Sequence, residues 1–346
     1  MKIGHCASFA PNACGLYEAA RDMAIADMQA GHEVYFFDVG LYGEKHIPGA
    51  PDKIDNRGGI TLKTDNPDHI WNCDIIIAHT GIPDNWYAPC QAPIIWILHG
   101  RPKACFSPEY TGKGHSYSLI ANLARWPRVK YMVSFWPSHK PYWDVIIPKE
   151  KLVIFDAPPI DEKRFCPEGP MHNNRAMSGK YNIMVSESWR EDIDIFEITQ
   201  GLIEASKIVK DVKFHFYGME LPLRCFDYLF NELRRLGTCG EIWARRTDME
   251  QVYRAADILI SPQSIATRSI AEALSCGVPV IADIGCEFAT WQTRINDPIV
   301  VAKAVKEAIE DIEKDKNGIN QKVKKSAKAF SLENYNLNME KLYNSL

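Results

Sequence analysis

SPQSIATRSIAEALSCGVPVIAD, residues 261–283, is the stretch that decides the fold. It overlaps the apolar run DILISP (257–262) and continues as a small polar loop, a helix-forming segment ending at Gly277, and the apolar run PVIAD (279–283). Strand, loop, helix and strand in this order predict one β-α-β unit of a parallel sheet. A helix that starts directly after such a loop offers unbonded backbone amides and a partial positive charge. We therefore predict an anion site here, with diphosphate as the natural ligand.

Side chains of this stretch fit such a site. Three hydroxyls can donate to phosphate oxygens, and one guanidinium adds positive charge; these belong to Ser264, Thr267, Ser269 and Arg268. Glu272 lies one turn into the helix, where it can accept hydrogen bonds from the two hydroxyls of a ribose. A helix acid stabilised by the helix dipole or by solvent remains the alternative for Glu272.

The same alternation of apolar runs and amphipathic stretches extends over the chain and predicts an α/β protein. At 346 residues the chain exceeds the roughly 250–300 residues of one compact domain. The proline-rich, charged segment 158–170 interrupts the pattern, which restarts at residue 181. We predict two Rossmann-like domains. The first is residues 1–170 with a last helix at about 330–346, and the second is residues 171–329.

Composition limits the classes of function. The net charge is −4 and the pI about 6.2, so the molecule as a whole is not an electrostatic binder of nucleic acid. Ten cysteines without a Cys-x-x-Cys spacing favour reduced thiols in a cytoplasmic protein. No apolar run approaches the roughly 20 residues of a membrane span, so we predict no integral membrane segment.

The N-terminal turn is a second candidate for ligand contact. A strand from Lys2 to Ala7 is followed by Gly15, a helix through about Gln29, and Gly31. A glycine where a turn meets a helix lets a ligand approach the backbone amides. The full Gly-x-Gly-x-x-Gly is absent, so a dinucleotide domain is not indicated, and an ordinary turn without a ligand is the alternative.

These motifs, in this order, resemble the retaining GT-B glycosyltransferases of family 4. The resemblance covers nearly the whole chain and rests on EALSCGVPVIA (272–282), PIDEKRFCP (159–167), HG (99–100), GLYE (15–18), GHEV (31–34) and the C-terminal stretch 330–343. It implies two Rossmann-like domains facing across a cleft, with a C-terminal helix that crosses back to the first domain.

The resemblance also implies an activity: transfer of a sugar from a UDP-, GDP- or ADP-sugar to a hydroxyl acceptor, with no cofactor and no bound metal. Arg190 and Arg268 would neutralise the leaving diphosphate, and Glu272 would bind the ribose. His99 would contact the transferred sugar or the reaction centre, unless it only closes a strand. The base would lie near Trp243 and Arg245, which are otherwise a packed strand end with a solvated charge.

Two departures from the family pattern leave alternatives open. Ser264 stands where the family has its first Glu, and VSESWRED (185–192) carries Arg190 as its only basic residue. A nucleotide-sugar-binding protein of weak or no activity, or a sugar-nucleotide epimerase, therefore remains an alternative to a transferase.

The acceptor is suggested by residues 99–151. This segment has nine basic and three acidic residues, a balance of +6, with interleaved aromatic residues. Basic and aromatic groups together suit a saccharide, a lipid-linked glycan or a modified DNA base, and equally a solvated loop.

Overall fold

The structure is a computed structural model of the chain. It describes residues 1–11, 15–40, 45–81, 90–99, 102, 117–173, 177–187, 195–218, 226–244 and 246–346. The described residues form two compact units. Unit 1 comprises Met1–Asp161 and Ser331–Leu346, and unit 2 comprises Glu162–Phe330.

Unit 1 is built on a six-stranded parallel sheet with the strand order β2-β1-β5-β6-β7-β8. A two-stranded antiparallel hairpin, β3 and β4, lies outside this sheet. The elements are β1 (Lys2–Ala7), α1 (Gly15–Gln29), β2 (Glu33–Asp38), β3 (Ile54–Asp55), β4 (Leu62–Lys63), β5 (Ile75–Ala78), β6 (Ile94–Ile97), α2 (Tyr117–Arg125), β7 (Val129–Ser134), α3 (Lys140–Trp143), β8 (Leu152–Ile154) and, from the end of the chain, α9 (Leu332–Tyr343).

Unit 2 has its own six-stranded parallel sheet, in the order β11-β10-β9-β12-β13-β14. Its elements are β9 (Tyr181–Ser186), α4 (Ile195–Ile208), β10 (Val212–Tyr217), α5 (Asp227–Arg235), β11 (Cys239–Trp243), α6 (Met249–Arg254), β12 (Ile258–Ser261), α7 (Arg268–Ser275), β13 (Val280–Asp283), β14 (Trp291–Thr293) and α8 (Pro298–Ala327). The two parallel sheets confirm the predicted α/β class with two Rossmann-like domains.

Segment 162–170 packs within unit 2, although the sequence pattern placed the domain boundary after it. The Arg164 guanidinium donates to Glu250 on α6 at 3.1 Å, and Arg254 of the same helix donates to the carbonyl oxygen of Cys166 at 2.8 Å. These side chains are more than 80 residues apart in sequence, so composition alone does not reveal the pairing.

Helix α9 completes the core of unit 1. Its buried residues Leu332, Tyr335 and Met339 pack in one apolar cluster with strand residues such as Ile77 and with Ile25 of α1. Ser331 caps the helix, since its side chain accepts from the backbone amide of Asn334. The last helix predicted from the sequence is therefore present, and it belongs to the unit that the first residues begin.

Candidate nucleotide-sugar site

The sheet of unit 2 reverses its strand order between β9 and β12, which are sequentially distant neighbours. In open parallel α/β sheets, ligands bind at the carboxyl ends of the strands beside such a reversal. Glu187 directly follows β9. Ser261 is the last residue of β12, and Gln263 follows that strand. The stretch 261–283 therefore starts at the position where this architecture places a ligand.

Glu187 joins these strand ends. Its carboxylate accepts hydrogen bonds from the Ser261 hydroxyl at 3.1 Å, the Gln263 amide at 3.3 Å and the Ser269 hydroxyl at 3.3 Å. The Thr267 and Ser269 hydroxyl oxygens lie 3.2 Å apart. The structure thus brings two of the predicted hydroxyls together at the start of α7, around a carboxylate that the sequence reading missed.

Gly218 holds the ends of β10 and β11 close to the end of β9. It follows β10 with φ +84°, and a Cβ at this position would lie 2.8 Å from the carbonyl oxygen of Glu187. Its amide donates to the carbonyl oxygen of Trp243, the last residue of β11, at 3.2 Å. Only glycine tolerates both the left-handed backbone and this close approach. The ends of β9, β10 and β11 are therefore fixed relative to one another.

The loop before α7 is compact and mostly buried. Thr267 is the N-cap residue, with an extended backbone, and its carbonyl accepts from the Ala271 amide at 3.0 Å. Ser264 is half-buried, and its Cβ would lie 3.7 Å from a Cβ added at Gly285. The Thr267 side chain makes no capping hydrogen bond to the first amides of the helix, and uncapped helix amides beside hydroxyls suit an anion site.

Arg268 and Glu272 contact each other instead of standing apart. The Arg268 Nε lies 2.7 Å from a carboxylate oxygen of Glu272, one helical turn away, and the guanidinium lies 5.8 Å from the ring centre of Phe165. Glu272 is 8% exposed. Burial, followed by the charge of Glu272, raises the pKa of Tyr253 well above its ordinary value. Glu272 is therefore enclosed, and a solvated helix acid is the wrong description.

Trp243 is half exposed at the end of β11, an edge strand, and Arg246 lies 5.2 Å from its ring centre. Arg246 is itself paired with Asp248 at 2.7 Å. A flat aromatic surface with a neighbouring cation suits stacking of a base. Arg190 and Arg245 lie outside the described residues.

Two predicted residues lie in unit 1. His99 follows β6 and is partly exposed, and its Nε2 lies 3.0 Å from Nδ1 of His79. Gly15 is the first residue of α1, and among the described residues no atom outside its own helix and chain neighbours lies within 4 Å of a Cβ added there.

The pair of parallel-sheet units, with a C-terminal helix returning to the first, is the GT-B fold of glycosyltransferases. No family model and no curated protein matches the sequence. The chain is similar to HepE from Anabaena in complex with UDP and glucose, with a TM-score of 0.72, 15% identity and 100% of both chains covered. It is also similar to sucrose-phosphate synthase from Thermosynechococcus elongatus (0.71, 14%, 100% and 98%). A third likeness is to the pneumococcal O-GlcNAc transferase GtfA in complex with UDP and GlcNAc (0.66, 9%, 100% and 99%).

The described residues contain neither a membrane-spanning helix nor a metal-binding cluster. No helix in these ranges is both long and apolar enough to cross a membrane. Likewise, no three His, Cys, Asp or Glu side chains in the described ranges converge on a point that could hold a metal ion.

Proposed function

We propose that this protein is a retaining glycosyltransferase that uses a nucleoside diphosphate sugar. The observation that carries the proposal is the convergence of hydroxyls and helix amides at the start of α7, beside the strand-order reversal of a GT-B fold. In this reading the diphosphate binds the amides of 267–269 with the hydroxyls of Ser264, Thr267 and Ser269. Gly15 stays the donor contact predicted from the sequence.

The Arg268–Glu272 pair can bind the part of a nucleotide where the ribose is bonded to the first phosphate. In a nucleotide the ribose is attached directly to the first phosphate, so adjacent groups of opposite charge can bind both parts. Arg268 takes the phosphate charge, and Glu272 accepts from the ribose hydroxyls. Because the two side chains already lie 2.7 Å apart, binding requires a change of partner and no large movement. Trp243 stacks on the base, and Arg245 stays a second base contact predicted from the sequence.

Glu187 fills the role that Ser264 leaves vacant in the family pattern. Its carboxylate is held at the end of β9 by hydroxyl and amide donors, which sugar hydroxyls can replace one for one. Gln263 is 2% exposed, and its buried side-chain carbonyl oxygen has no hydrogen-bond partner among the described residues. A buried acceptor of this kind is satisfied by a ligand hydroxyl. We therefore assign recognition of the donor sugar to Glu187 and Gln263.

Glycosyl transfer then needs stabilisation of the departing diphosphate and a positioned acceptor hydroxyl. Arg190, Arg268 and the amides at the start of α7 supply the first. His99 contacts the transferred sugar. As the family resemblance implies, the departing phosphate oxygen takes the acceptor proton, and neither a cofactor nor a metal is required.

UDP is the donor nucleotide that the comparisons favour, since HepE and GtfA were solved with UDP. A thermal-shift series with UDP, GDP, ADP, CMP and their sugars tests this choice. We expect the largest increase in melting temperature with UDP or a UDP-sugar, because a ligand that binds only the folded state stabilises it. No shift with any nucleotide would contradict the proposal, and binding without turnover would favour a catalytically inactive binding protein. Epimerised nucleotide sugar as the product would favour the epimerase.

A saccharide is the acceptor we propose, with a lipid-linked glycan as a variant. Two basic residues of the described part of this segment make internal hydrogen bonds, which weakens the case for DNA. Arg128 donates to the carbonyl oxygen of Ala92 at 2.9 Å, and Lys151 donates to that of Trp126 at 3.0 Å. Duplex DNA containing modified bases should therefore show no salt-sensitive gel shift. The described cysteines are free thiols, which supports a cytoplasmic location.

A further inference from the structure

Three histidines lie side by side on one face of the unit 1 sheet. The register of the parallel strands pairs His5 of β1 with Ile77 of β5, and Ile77 with Ile95 of β6. Paired residues on neighbouring strands point to the same face, and side chains alternate along each strand. His79 comes two residues after Ile77, and His99 comes four after Ile95. All three imidazoles therefore extend towards the face that α1 and α9 cover.

Hydrogen bonds join these rings into a chain that reaches both covering helices. His99 Nε2 lies 3.0 Å from His79 Nδ1, and His79 Nε2 lies 3.1 Å from His5 Nδ1. His5 Nε2 lies 2.9 Å from Asp27 of α1, which also accepts from the Tyr343 hydroxyl of α9 at 2.8 Å. His5, His79 and Asp27 are at most 1% exposed, whereas His99 is partly exposed. The chain thus connects an accessible ring to a buried carboxylate.

Because His79 donates one hydrogen bond and accepts the other, all the bonds of the histidine chain run in one direction. Burial, together with the neighbouring imidazoles, lowers the pKa of His79 well below its ordinary value, so this ring is neutral and carries one N–H. A neutral imidazole donates from one nitrogen and accepts at the other. If His79 donates to His5, it accepts from His99, and His5 donates to Asp27. The Nδ1 of His99 is then an acceptor.

Uptake of one proton at His99 Nδ1 reverses the two hydrogen bonds between the histidines, while His5 donates to Asp27 throughout. The Nε2 proton of His99 passes to His79 Nδ1, and the Nε2 proton of His79 passes to His5 Nδ1. His5 becomes an imidazolium against the Asp27 carboxylate, while His79 and His99 remain neutral with their proton on Nδ1. Each N–H bond that forms after the one on His99 Nδ1 is matched by an N–H bond that breaks. The added charge therefore lies at the buried pair His5 and Asp27.

We propose that His79, His5 and Asp27 are positioning residues for His99, which hold its ring and set whether its Nδ1 donates or accepts a hydrogen bond. A single proton, stored at His5 and Asp27, makes the change. At higher pH His99 accepts from a ligand hydroxyl, and at lower pH it donates to a ligand oxygen. The use of this change in sugar binding rests on the proposed function, whereas the proton storage does not.

Titratable groups around the buried pair come from both helices and the strands. On the described residues these are Tyr335 and Tyr343 of α9, with Glu340 and His32 paired at 2.8 Å beyond them, and the other two histidines of the chain. Burial and the charge of Asp27 raise the pKa of both tyrosines well above the ordinary value. Tyr343 therefore remains a hydroxyl and a donor to Asp27 throughout the pH range of interest.

Nitrogen NMR of the full chain labelled with 15N-histidine tests the proposal without any substrate. Between pH 9 and 5 we expect His5 to become doubly protonated while His79 and His99 exchange the Nε2–H tautomer for Nδ1–H, all with one midpoint. Asp27→Asn should lower that midpoint by about one pH unit or more, since it removes the charge that stabilises the imidazolium. Tyr343→Phe should raise it by about one pH unit, since the carboxylate loses a hydrogen bond.

Two further variants keep the test decisive. His79→Gln interrupts the chain but leaves Asp27 in place, so His5 and His99 should titrate with separate midpoints. His172→Asn, in unit 2, is the control and should leave the common midpoint unchanged.

Fixed tautomers over the whole pH range, or separate midpoints in the unsubstituted chain, would overturn the proposal even if the protein transfers sugar. Coupled tautomers in a protein that binds no nucleotide would overturn the proposed function alone. In an active enzyme, the common midpoint should also appear in the pH profile of kcat and be lost in His79→Gln.

Discussion

Arg21 forms several buried ion pairs at the same time. It is fully buried on α1, and its guanidinium lies 3.0 to 3.2 Å from the carboxylates of Asp22, Asp55 and Asp161. We expect Arg21→Met to lower the free energy of unfolding by about 3–5 kcal/mol, because it leaves buried carboxylates without their cation. Urea unfolding measures the change.

The matched control is an exposed ion pair in the same unit. Lys140 lies 2.7 Å from Asp144 with half of its side chain exposed. Lys140→Met should change stability by less than about 1 kcal/mol. Equal effects of the two substitutions would show that the buried cluster contributes no more than a surface pair.

Asp55 makes unit 1 sensitive to acid. Burial pushes its pKa upward, but the hydrogen bonds and charge of Arg57 and the hydroxyl of Tyr17 outweigh burial and lower the pKa to about 2. A carboxyl with a lowered folded-state pKa stabilises the protein above its unfolded pKa and loses this contribution as pH falls. We expect a loss of about 2 kcal/mol between pH 5 and 2. Stability curves of the unsubstituted chain and Asp55→Asn should converge as the pH falls; a constant difference would contradict the assignment.

Glu272 is the residue on which the nucleotide assignment depends most. Glu272→Ala should weaken nucleotide binding by about tenfold or more, because charged hydrogen bonds to a ligand contribute 1.5–3 kcal/mol. Titration calorimetry with the best nucleotide measures this. Glu232→Ala, at a partly exposed acid of α5 paired with Arg235, is the control and should bind normally. Unchanged binding in Glu272→Ala would remove Glu272 from the ribose.

Part of the candidate site was visible in the sequence, and part was not. The hydroxyls of 264–269 could be found because they lie in one loop between a strand and a helix. Glu187 could not, since its place beside Ser261 depends on strand order, which a sequence does not state. The pairing of Arg268 with Glu272 was available from their spacing of four on a predicted helix. It went unnoticed because each residue was assigned to a different part of the ligand.

At the scale of elements, the end of α7 depends on one glycine. Gly277 has φ +84°, its amide donates to Leu274 at 3.0 Å, and the Val278 amide donates to Ala273 at 2.9 Å. This is the bonding of a Schellman C-cap. Gly277→Ala should cost about 1–2 kcal/mol, since the left-handed backbone disfavours a Cβ. Gly15→Ala, where no other described residue lies within 4 Å of an added Cβ, should leave stability unchanged within about 0.5 kcal/mol. A larger loss at Gly15 than at Gly277 would contradict this account.

Most elements follow from the sequence pattern, and the exceptions have a common cause. The apolar runs DILISP (257–262) and PVIAD (279–283) both contain strands of the unit 2 sheet. The missed strands are β3, β4 and β14, of two, two and three residues. Segments this short have no detectable period, and only their partners fix them as strands. β14 is extended because it pairs with β13 at the sheet edge.

At the scale of the whole molecule, unit 2 has a core of its own. Its largest cluster of buried residues lies entirely between Tyr181 and Ile309. We expect a fragment of residues 162–330 to fold alone, to unfold cooperatively in urea, and to bind nucleotide more weakly than the full chain. Circular dichroism and calorimetry measure both properties. A fragment of 1–161 is the comparison: it lacks α9 and should expose the apolar face that this helix covers. Cooperative unfolding of 1–161 but not of 162–330 would contradict this division.

The return of the last residues to unit 1 also sets an order of events during synthesis. A ribosome delivers residue 5 long before residue 343, yet the bond from Tyr343 to Asp27 closes over the face that carries His5. Unit 2 is complete once residue 330 has emerged, whereas the earlier unit must wait for the final sixteen residues, 331–346. The half that is translated second is therefore able to finish first. During that interval, the apolar surface beneath α9 is exposed to the chaperones and proteases that act on nascent chains.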